Sequence, residues 1–124
     1  KTRVGFGFDV HQLKDGHDFW LGGIQIDHSK GAFGHSDADV LIHVICDALL
    51  GAANMRDIGF HFPDTSNDYK GIDSKILLKR VVELIREKGF QIGNIVVEAK
   101  ENDGRRWENL SDLAGCIATS IGVT

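Results

Sequence analysis

Three segments of the chain carry apolar residues at the three- and four-residue spacing of an amphipathic helix. The first has the expected buried stripe Val40, Leu41, Val44, Ile45, Ala48 and Leu49. The second has Ile76, Leu77, Val81, Leu84 and Ile85, and the third Leu110, Leu113, Ala114, Ile117, Ala118 and Ile121. Capping and stop residues predict that the first helix runs from near Ser36 to Gly51. They predict that the second runs from Asp73 or Ser74 to Gly89.

Extended segments precede and separate these helices. Residues 2–10 read as a strand in which Gly5 and Gly7 allow close approach by another backbone or a ligand. Residues 19–26 read as a second strand, broken or bulged at Gly22-Gly23, and a third is centred on residues 95–97. Residues 13–18, 28–34 and 54–69 are expected to be loops. The order β-β-α-α-β-α predicts a compact α/β or α+β sandwich with helices packed on a sheet.

Composition and charge narrow the class of protein. The chain has 124 residues, which suits one domain, and 42% of them are apolar. No stretch approaches the roughly 20 apolar residues of a membrane span, and the first residues lack an apolar signal region, so a cytoplasmic location is expected. The net charge of −4 without a block of Lys or Arg disfavours nucleic-acid binding. Cys46 and Cys116 lie in apolar helical contexts and are expected to be buried, reduced thiols.

A candidate metal site emerges from Asp9, His11 and His43. Asp9 and His11 are two residues apart in the predicted strand, so their side chains would project to the same side. A carboxylate and an imidazole placed in this way could bind one zinc ion. His43 in the first helix would add a third ligand and leave one position open, as in catalytic zinc sites. Asp39 or Asp47 could orient its imidazole. The alternative is a solvent-facing polar strand end and a packed or surface histidine.

Two further clusters are candidates for binding an anionic substrate. His35 and Ser36 sit at the predicted N-terminus of the first helix, where backbone N–H groups can hold phosphate, although capping alone would also explain Ser36. The long loop contains Asp57-Ile58-Gly59 and Phe62-Pro63-Asp64-Thr65. Asp64 could accept hydrogen bonds from substrate hydroxyls, or it could form an ordinary turn after proline.

Several motifs in order resemble one enzyme family. They are Arg3-Val4-Gly5-Phe6-Gly7-Phe8-Asp9-Val10-His11, Gly34-His35-Ser36-Asp37-Ala38-Asp39-Val40-Leu41-Ile42-His43, Asp57-Ile58-Gly59 with Phe62-Pro63-Asp64-Thr65, Lys70-Gly71 with Asp73-Ser74, and Gly93-Asn94. Together they are similar to the 2-C-methyl-D-erythritol 2,4-cyclodiphosphate synthase family over residues 3–99. The resemblance implies a single domain over residues 1–124, with one mixed β-sheet covered by helices in a ferredoxin-like or chorismate-mutase-like subunit of a homotrimer.

The same resemblance implies an activity and its residues. Relatives are phosphorus-oxygen lyases that convert 4-diphosphocytidyl-2-C-methyl-D-erythritol 2-phosphate to the 2,4-cyclodiphosphate and CMP, in the non-mevalonate isoprenoid pathway. Their zinc ligands correspond to Asp9, His11 and His43, and a second divalent ion, magnesium or manganese, accompanies the substrate. His35 corresponds to the catalytic histidine that positions the reacting phosphate. The implied substrate-binding positions, at sites between subunits, are Asp9, His11, His35, Ser36, Asp57, Ile58, Gly59, Phe62, Pro63, Asp64, Thr65 and Ser66.

The resemblance weakens after Ala99. Residues 100–105 replace an Ala-Gln-x-Pro-Lys-like loop of relatives, and the Thr-Thr-x-Glu segment that would supply the second-metal ligand does not occur. We therefore expect the C-terminal part either to be incomplete, with loops omitted, or to be truly short and altered. Two other functions stay open: a zinc-dependent phosphoesterase using the same site, and a metal- and diphosphate-binding relative with impaired catalysis.

Overall fold

Four short strands and three helices form the regular structure of the chain in a computed structural model that describes residues 1–10, 13–16, 19–26, 30–32, 39–63 and 73–97. The strands are β1 (Leu13–Asp15), β2 (Phe19–Leu21), β3 (Ile24–Ile26) and β4 (Lys30–Ala32). The helices are α1 (Val40–Ala52), α2 (Ile58–His61) and α3 (Ser74–Glu87). The structure thus places strands in the predicted loops 13–18 and 28–34, and a short helix in the loop 54–69. None of the described helices has the length and apolar character needed to span a bilayer.

β2 and β3 form an antiparallel hairpin, with Phe19 opposite Ile26 and Leu21 opposite Ile24. The turn consists of Gly22 and Gly23, whose φ angles are 64° and 87°. Positive φ at both central residues matches a two-residue hairpin turn, and glycine adopts it without a steric penalty. The predicted break at Gly22-Gly23 is therefore a chain reversal, and the segment 19–26 forms two strands where one was predicted.

A second antiparallel pair, β1 with β4, places Leu13 opposite Ala32 and Asp15 opposite Lys30. β4 also contacts β2, so the two strand pairs lie side by side. Residues 1–10 and 90–97 belong to no strand within the described part of the chain, because their backbones form no ladder there. The single mixed sheet stays a prediction.

α1 and α3 pack against each other and form the centre of the core. In α1 the fully buried residues are Leu41, Ile42, Ile45, Cys46 and Leu50. The predicted stripe was therefore partly wrong, since Val40, Val44, Ala48 and Leu49 are only half-buried. In α3 the buried residues are Ser74, Leu77, Leu78, Val81, Val82 and Ile85. Ile76, predicted to be buried, is 44% exposed.

Cys46 lies within this core as a free cysteine. Burial raises the pKa of its thiol far above the ordinary range, and the nearby charges of Asp47 and Asp39 act in the same direction. The thiol is therefore protonated and unreactive at neutral pH. This confirms the prediction of a buried, reduced Cys46, whereas Cys116 lies outside the described residues.

The segment 1–10 lies directly against the backbone of α1. A Cβ atom added to Gly5 would come within 1.8 Å of the Ala48 carbonyl oxygen, and one added to Gly7 within 2.2 Å of the Val44 carbonyl oxygen. The segment therefore runs antiparallel to α1, and only residues without side chains fit at these two positions. The predicted close approach by another backbone is confirmed, and the partner is the first helix.

Candidate functional site

The antiparallel course of segment 1–10 brings Asp9 to His43 near the start of α1. Gly5 and Gly7 face the helix, and Asp9, the next residue in the alternation, follows them on that side. Asp9 Oδ1 accepts a hydrogen bond from the Val10 backbone N–H at 2.9 Å, and Asp9 Oδ2 lies 3.9 Å from His43 Nδ1. The structure thus brings together two of the three predicted metal ligands.

Asp9 Oδ2 and His43 Nδ1 lie close together without a direct hydrogen bond between them. At 3.9 Å, Asp9 Oδ2 and His43 Nδ1 are beyond hydrogen-bonding distance. Two such ligands bound at about 2.0–2.2 Å to a tetrahedral zinc ion would lie roughly 3.4 Å apart, which is closer than these two atoms are. Both side chains are partly accessible to solvent.

A complete ligand set would need a third side chain. Among the residues that the structure describes, no three His, Cys, Asp or Glu side chains form a group able to hold a metal ion. The third predicted ligand, His11, lies outside the described residues.

The second nitrogen of the His43 ring points towards α3. His43 Nε2 and Ser74 Oγ are 3.1 Å apart, and Ser74 is fully buried at the first position of α3. From the sequence, Asp39 or Asp47 was expected to orient this imidazole, and Ser74 was named as a helix start and as part of a family motif, without a role at the site. The contact depends on the packing of α1 against α3, and no local sequence motif predicts it.

Asp39 instead links the β2–β3 hairpin to α1. Its carboxylate is fully buried and accepts hydrogen bonds from the backbone N–H groups of Gly22 at 2.9 Å and Gly23 at 2.6 Å. The same carboxylate caps α1 by accepting from the Ile42 N–H at 3.1 Å. It therefore fixes the start of the helix that carries His43.

Asp47 and Asp57 position the Asp57-Ile58-Gly59 motif beside α1. Asp47 Oδ1 accepts a hydrogen bond from the Ile58 N–H at 2.8 Å, and Asp57 caps α2 by accepting from the Phe60 N–H at 2.9 Å. Burial is the main cause that raises the pKa of Asp47, and the Asp57 charge raises it further, while the Ile58 hydrogen bond opposes the shift. Gly59 is exposed, and a Cβ atom added to it would make an ordinary contact with Asp57 Oδ1 at 3.7 Å.

Comparison with known proteins identifies the family. The profile of the YgbB family matches residues 2–123. The chain belongs to the YgbB family. A relative from Bacteroides thetaiotaomicron, named 2-C-methyl-D-erythritol 2,4-cyclodiphosphate synthase, is 73% identical over 95 residues, which cover 77% of this chain and 60% of the relative. A relative of the same name from Porphyromonas gingivalis is 54% identical over 121 residues, or 98% of this chain and 75% of the relative.

Solved structures give the same assignment. A CDP-bound 2C-methyl-D-erythritol-2,4-cyclodiphosphate synthase is similar to this chain with a TM-score of 0.80 and 28% identity, over 98% of this chain and 81% of the other. This confirms the predicted family and is consistent with an α/β fold. The chain spans about 60% of the length of the Bacteroides relative. The YgbB match nevertheless continues past Ala99, so the resemblance extends further than the motifs indicated.

The remaining predicted site residues divide into two groups. Phe62 is half-buried against the core at the end of α2, and Pro63 beside it is exposed. The others, His35, Ser36, Asp64, Thr65 and Ser66, lie outside the described residues and stay predictions.

Proposed function

We propose that this YgbB-family chain carries out the cyclodiphosphate synthase reaction of the non-mevalonate isoprenoid pathway. The substrate would be 4-diphosphocytidyl-2-C-methyl-D-erythritol 2-phosphate, and the products 2-C-methyl-D-erythritol 2,4-cyclodiphosphate and CMP. The observation that carries the proposal is the approach of Asp9 Oδ2 to His43 Nδ1, in a chain whose relatives bear the synthase name.

Asp9, His11 and His43 would hold a zinc ion, and a magnesium or manganese ion would accompany the substrate. The donor set supports this, since one carboxylate and two imidazoles suit zinc and leave one coordination position open. When bound, these ions supply Lewis-acid stabilisation of charge on the phosphates.

The residues of the chain would mainly position two anionic groups for a displacement at phosphorus. An oxygen of the 2-phosphate forms a bond to the erythritol-side phosphorus of the diphosphate, and the bond from that phosphorus to the CMP oxygen breaks. His35 would orient the attacking phosphate, and Ser36 would bind it. The substrate would further contact Asp57, Ile58, Gly59, Phe62, Pro63, Asp64, Thr65 and Ser66, with Asp64 accepting from the erythritol hydroxyls.

This function predicts metal-dependent formation of a cyclic product. Purified protein with zinc and magnesium should release CMP, measured by chromatography, and produce a cyclic diphosphate, measured by ³¹P NMR. Asp9→Asn and His43→Gln should each lower kcat/KM by roughly 100-fold or more, because each removes a ligand that stabilises transition-state charge. Lys79→Ala, an exposed change on α3, should leave the rate unchanged.

Other products would point to the two alternative functions. Linear phosphates without a cyclic diphosphate would indicate a zinc-dependent phosphoesterase, in which water replaces the 2-phosphate as nucleophile. Binding of zinc and of CDP without CMP release under any metal condition would indicate a catalytically impaired relative. Either result contradicts the proposed synthase activity.

We also propose that the chain assembles as a homotrimer with active sites between subunits. The outward face of segment 1–10 supports an assembly, since Val4, Phe6, Phe8 and Val10 are 68–90% exposed in the single chain. A contiguous apolar face of this kind is typical of a protein–protein interface. Covering it would remove two phenylalanine side chains from water, each worth about 1.5–3 kcal/mol when fully buried.

Analytical ultracentrifugation tests this assembly. The unmodified protein is expected to sediment with the mass of three chains, and Phe8→Lys to sediment as a monomer, since a charge would be forced into the apolar interface. Ile76→Lys is the matched control, because it introduces the same charge at an exposed apolar residue on α3, outside segment 1–10. A monomeric unmodified protein, or a Phe8→Lys variant that still forms trimers, would contradict the proposed interface.

A further inference from the structure

We infer that His61 is a positioning residue for the Asp57-Ile58-Gly59 motif, because it closes the turn that joins α1 to α2. The inference rests on the proposed function, in which this motif contacts the substrate. It begins from a hydrogen bond between the His61 ring, at the end of α2, and the backbone six residues earlier. His61 Nε2 lies 2.7 Å from the Met55 carbonyl oxygen.

The direction of this hydrogen bond follows from the chemistry of its acceptor. A backbone carbonyl oxygen can only accept, so His61 Nε2 must carry a proton. In the neutral ring this selects the tautomer that is protonated at Nε2, and in the charged ring both nitrogens are protonated. The contact therefore persists in either charge state of His61, and it requires only a hydrogen-bond donor at the position of Nε2.

The hydrogen bond acts on a strained part of the backbone. Asn54 and Arg56, on either side of Met55, have φ angles of 58° and 70°, in the left-handed region that residues with side chains rarely adopt. Such conformations persist where surrounding contacts fix them. The Met55 carbonyl belongs to the peptide group whose orientation depends on the φ angle of Arg56. Its hydrogen bond to His61 therefore holds Arg56 at this angle.

Two contacts hold α2, one at each end. At the start, Asp47 of α1 accepts a hydrogen bond from the Ile58 N–H at 2.8 Å. At the end, His61 returns to the turn that precedes the helix. Loss of the His61 contact would let Arg56 relax from its strained angle, and α2 would then rotate about the contact that remains. This rotation would displace the Asp57-Ile58-Gly59 motif.

This role predicts weaker substrate binding without a change at the metal site. Asp9 and His43 lie on segment 1–10 and α1, outside the turn, so zinc affinity should stay unchanged. His61→Leu keeps an apolar side chain but removes the donor. It should raise KM about 3- to 10-fold, the factor that corresponds to the usual net contribution of one hydrogen bond. Because binding is weakened equally in the ground state and the transition state, kcat should stay nearly unchanged.

The experiment compares His61→Leu, His61→Gln and Lys79→Ala by steady-state kinetics, zinc competition with a chromophoric chelator, and NMR. Gln carries an N–H donor with about the reach of Nε2, so His61→Gln should keep the KM of the unmodified chain. In ¹⁵N-labelled protein without substrate, neutral His61 should be protonated at Nε2. The Ile58 and Gly59 amide signals should shift in His61→Leu and stay in place in His61→Gln. Lys79→Ala, an exposed change on α3, should match the unmodified chain throughout.

The outcomes separate this inference from the proposed function. If the unmodified chain forms the cyclic diphosphate while His61→Leu keeps its KM, the role of His61 is overturned and the function stands. If the unmodified chain forms no cyclic diphosphate, the proposed function fails, and the amide signals still decide whether His61 positions the motif. A fall in zinc affinity in His61→Leu would show a general loss of structure and would overturn the inference.

Circular dichroism shows whether each variant folds. If His61→Leu does not fold, the comparison of His61→Gln with the unmodified chain and the tautomer of His61 carry the test. A neutral His61 protonated at Nδ1 would overturn the inference. So would a folded His61→Gln variant whose KM rises as much as that of His61→Leu, because the donor would then not be the property that matters.

Discussion

Gly5→Ala is expected to lower the free energy of unfolding by about 3 kcal/mol or more. Overpacking of an interior contact usually costs about 1–3 kcal/mol, and here the added methyl group would meet rigid backbone instead of a movable side chain. Its nearest neighbours would be the Ala48 carbonyl oxygen at 1.8 Å and the Ala52 nitrogen at 2.8 Å. Urea unfolding followed by circular dichroism measures the change, at one protein concentration so that assembly contributes equally.

The same substitution is expected to weaken metal binding. To admit the methyl group, segment 1–10 must move away from α1, and Asp9 lies four residues further along this segment. Asp9 Oδ2 would then withdraw from His43 Nδ1, now 3.9 Å away. Gly7→Ala should act in the same direction, because its added methyl group would lie 2.2 Å from the Val44 carbonyl oxygen.

Gly51→Ala provides the control for a glycine-to-alanine change. Gly51 is an exposed residue of α1, and an added Cβ would meet no atom within 4 Å. Alanine has the higher helix propensity, so Gly51→Ala should raise stability by up to about 1 kcal/mol. If Gly5→Ala were as stable as Gly51→Ala, the backbone contact between the segment and α1 would be contradicted.

The glycines of segment 1–10 illustrate how far sequence reasoning reaches. Two glycines at alternate positions in an apolar stretch predicted close approach by another backbone or a ligand, and the structure shows a backbone there. The sequence does not reveal which backbone approaches. All helix backbones carry the same carbonyl groups, so a glycine gives no indication of which helix it will contact. The identity of the partner depends on how α1 is placed, which is decided by its packing against α3 and the hairpin.

The helices also show that features set by local sequence are predicted well, whereas features set by tertiary packing are not. α3 was predicted to begin at Asp73 or Ser74 and to stop near Gly89, and both ends are confirmed because capping chemistry is local. The buried face of α1 was predicted less well. α1 has neighbours on more than one side, so Ile42 and Leu50, outside the predicted stripe, are also fully buried.

The part of the candidate site that could be predicted consists of residues whose types and spacing are typical of metal ligands. Asp9 and His43 were expected to meet, and they do so without regular strand structure in residues 1–10. Ser74 was overlooked because a serine at the start of a helix has an adequate local explanation. Its contact with His43 spans 31 residues and exists only through tertiary packing.

Asp39→Ala is expected to lower the free energy of unfolding by about 3–4 kcal/mol. Three backbone N–H groups, those of Gly22, Gly23 and Ile42, donate to this one buried carboxylate. A buried donor left without its partner costs about 1–3 kcal/mol, and loss of a helix cap about 1 kcal/mol, so the removal of all three acceptor contacts exceeds an ordinary cap deletion. Thermal unfolding should show a fall in Tm of roughly 10–15 °C.

Asp73→Ala is the matched comparison, because Asp73 caps α3 with a single backbone contact and is exposed. It should cost only about 1 kcal/mol, the usual effect of an N-cap. Asp39→Ser separates the capping of α1 from the attachment of the hairpin turn. Serine can still cap α1, but its side chain is too short to reach the glycine turn as well. We expect it to recover about 1 kcal/mol relative to Asp39→Ala. If Asp39→Ala proved no more destabilising than Asp73→Ala, Asp39 would be an ordinary cap, and the hairpin would not depend on it for its attachment to the helix that carries His43.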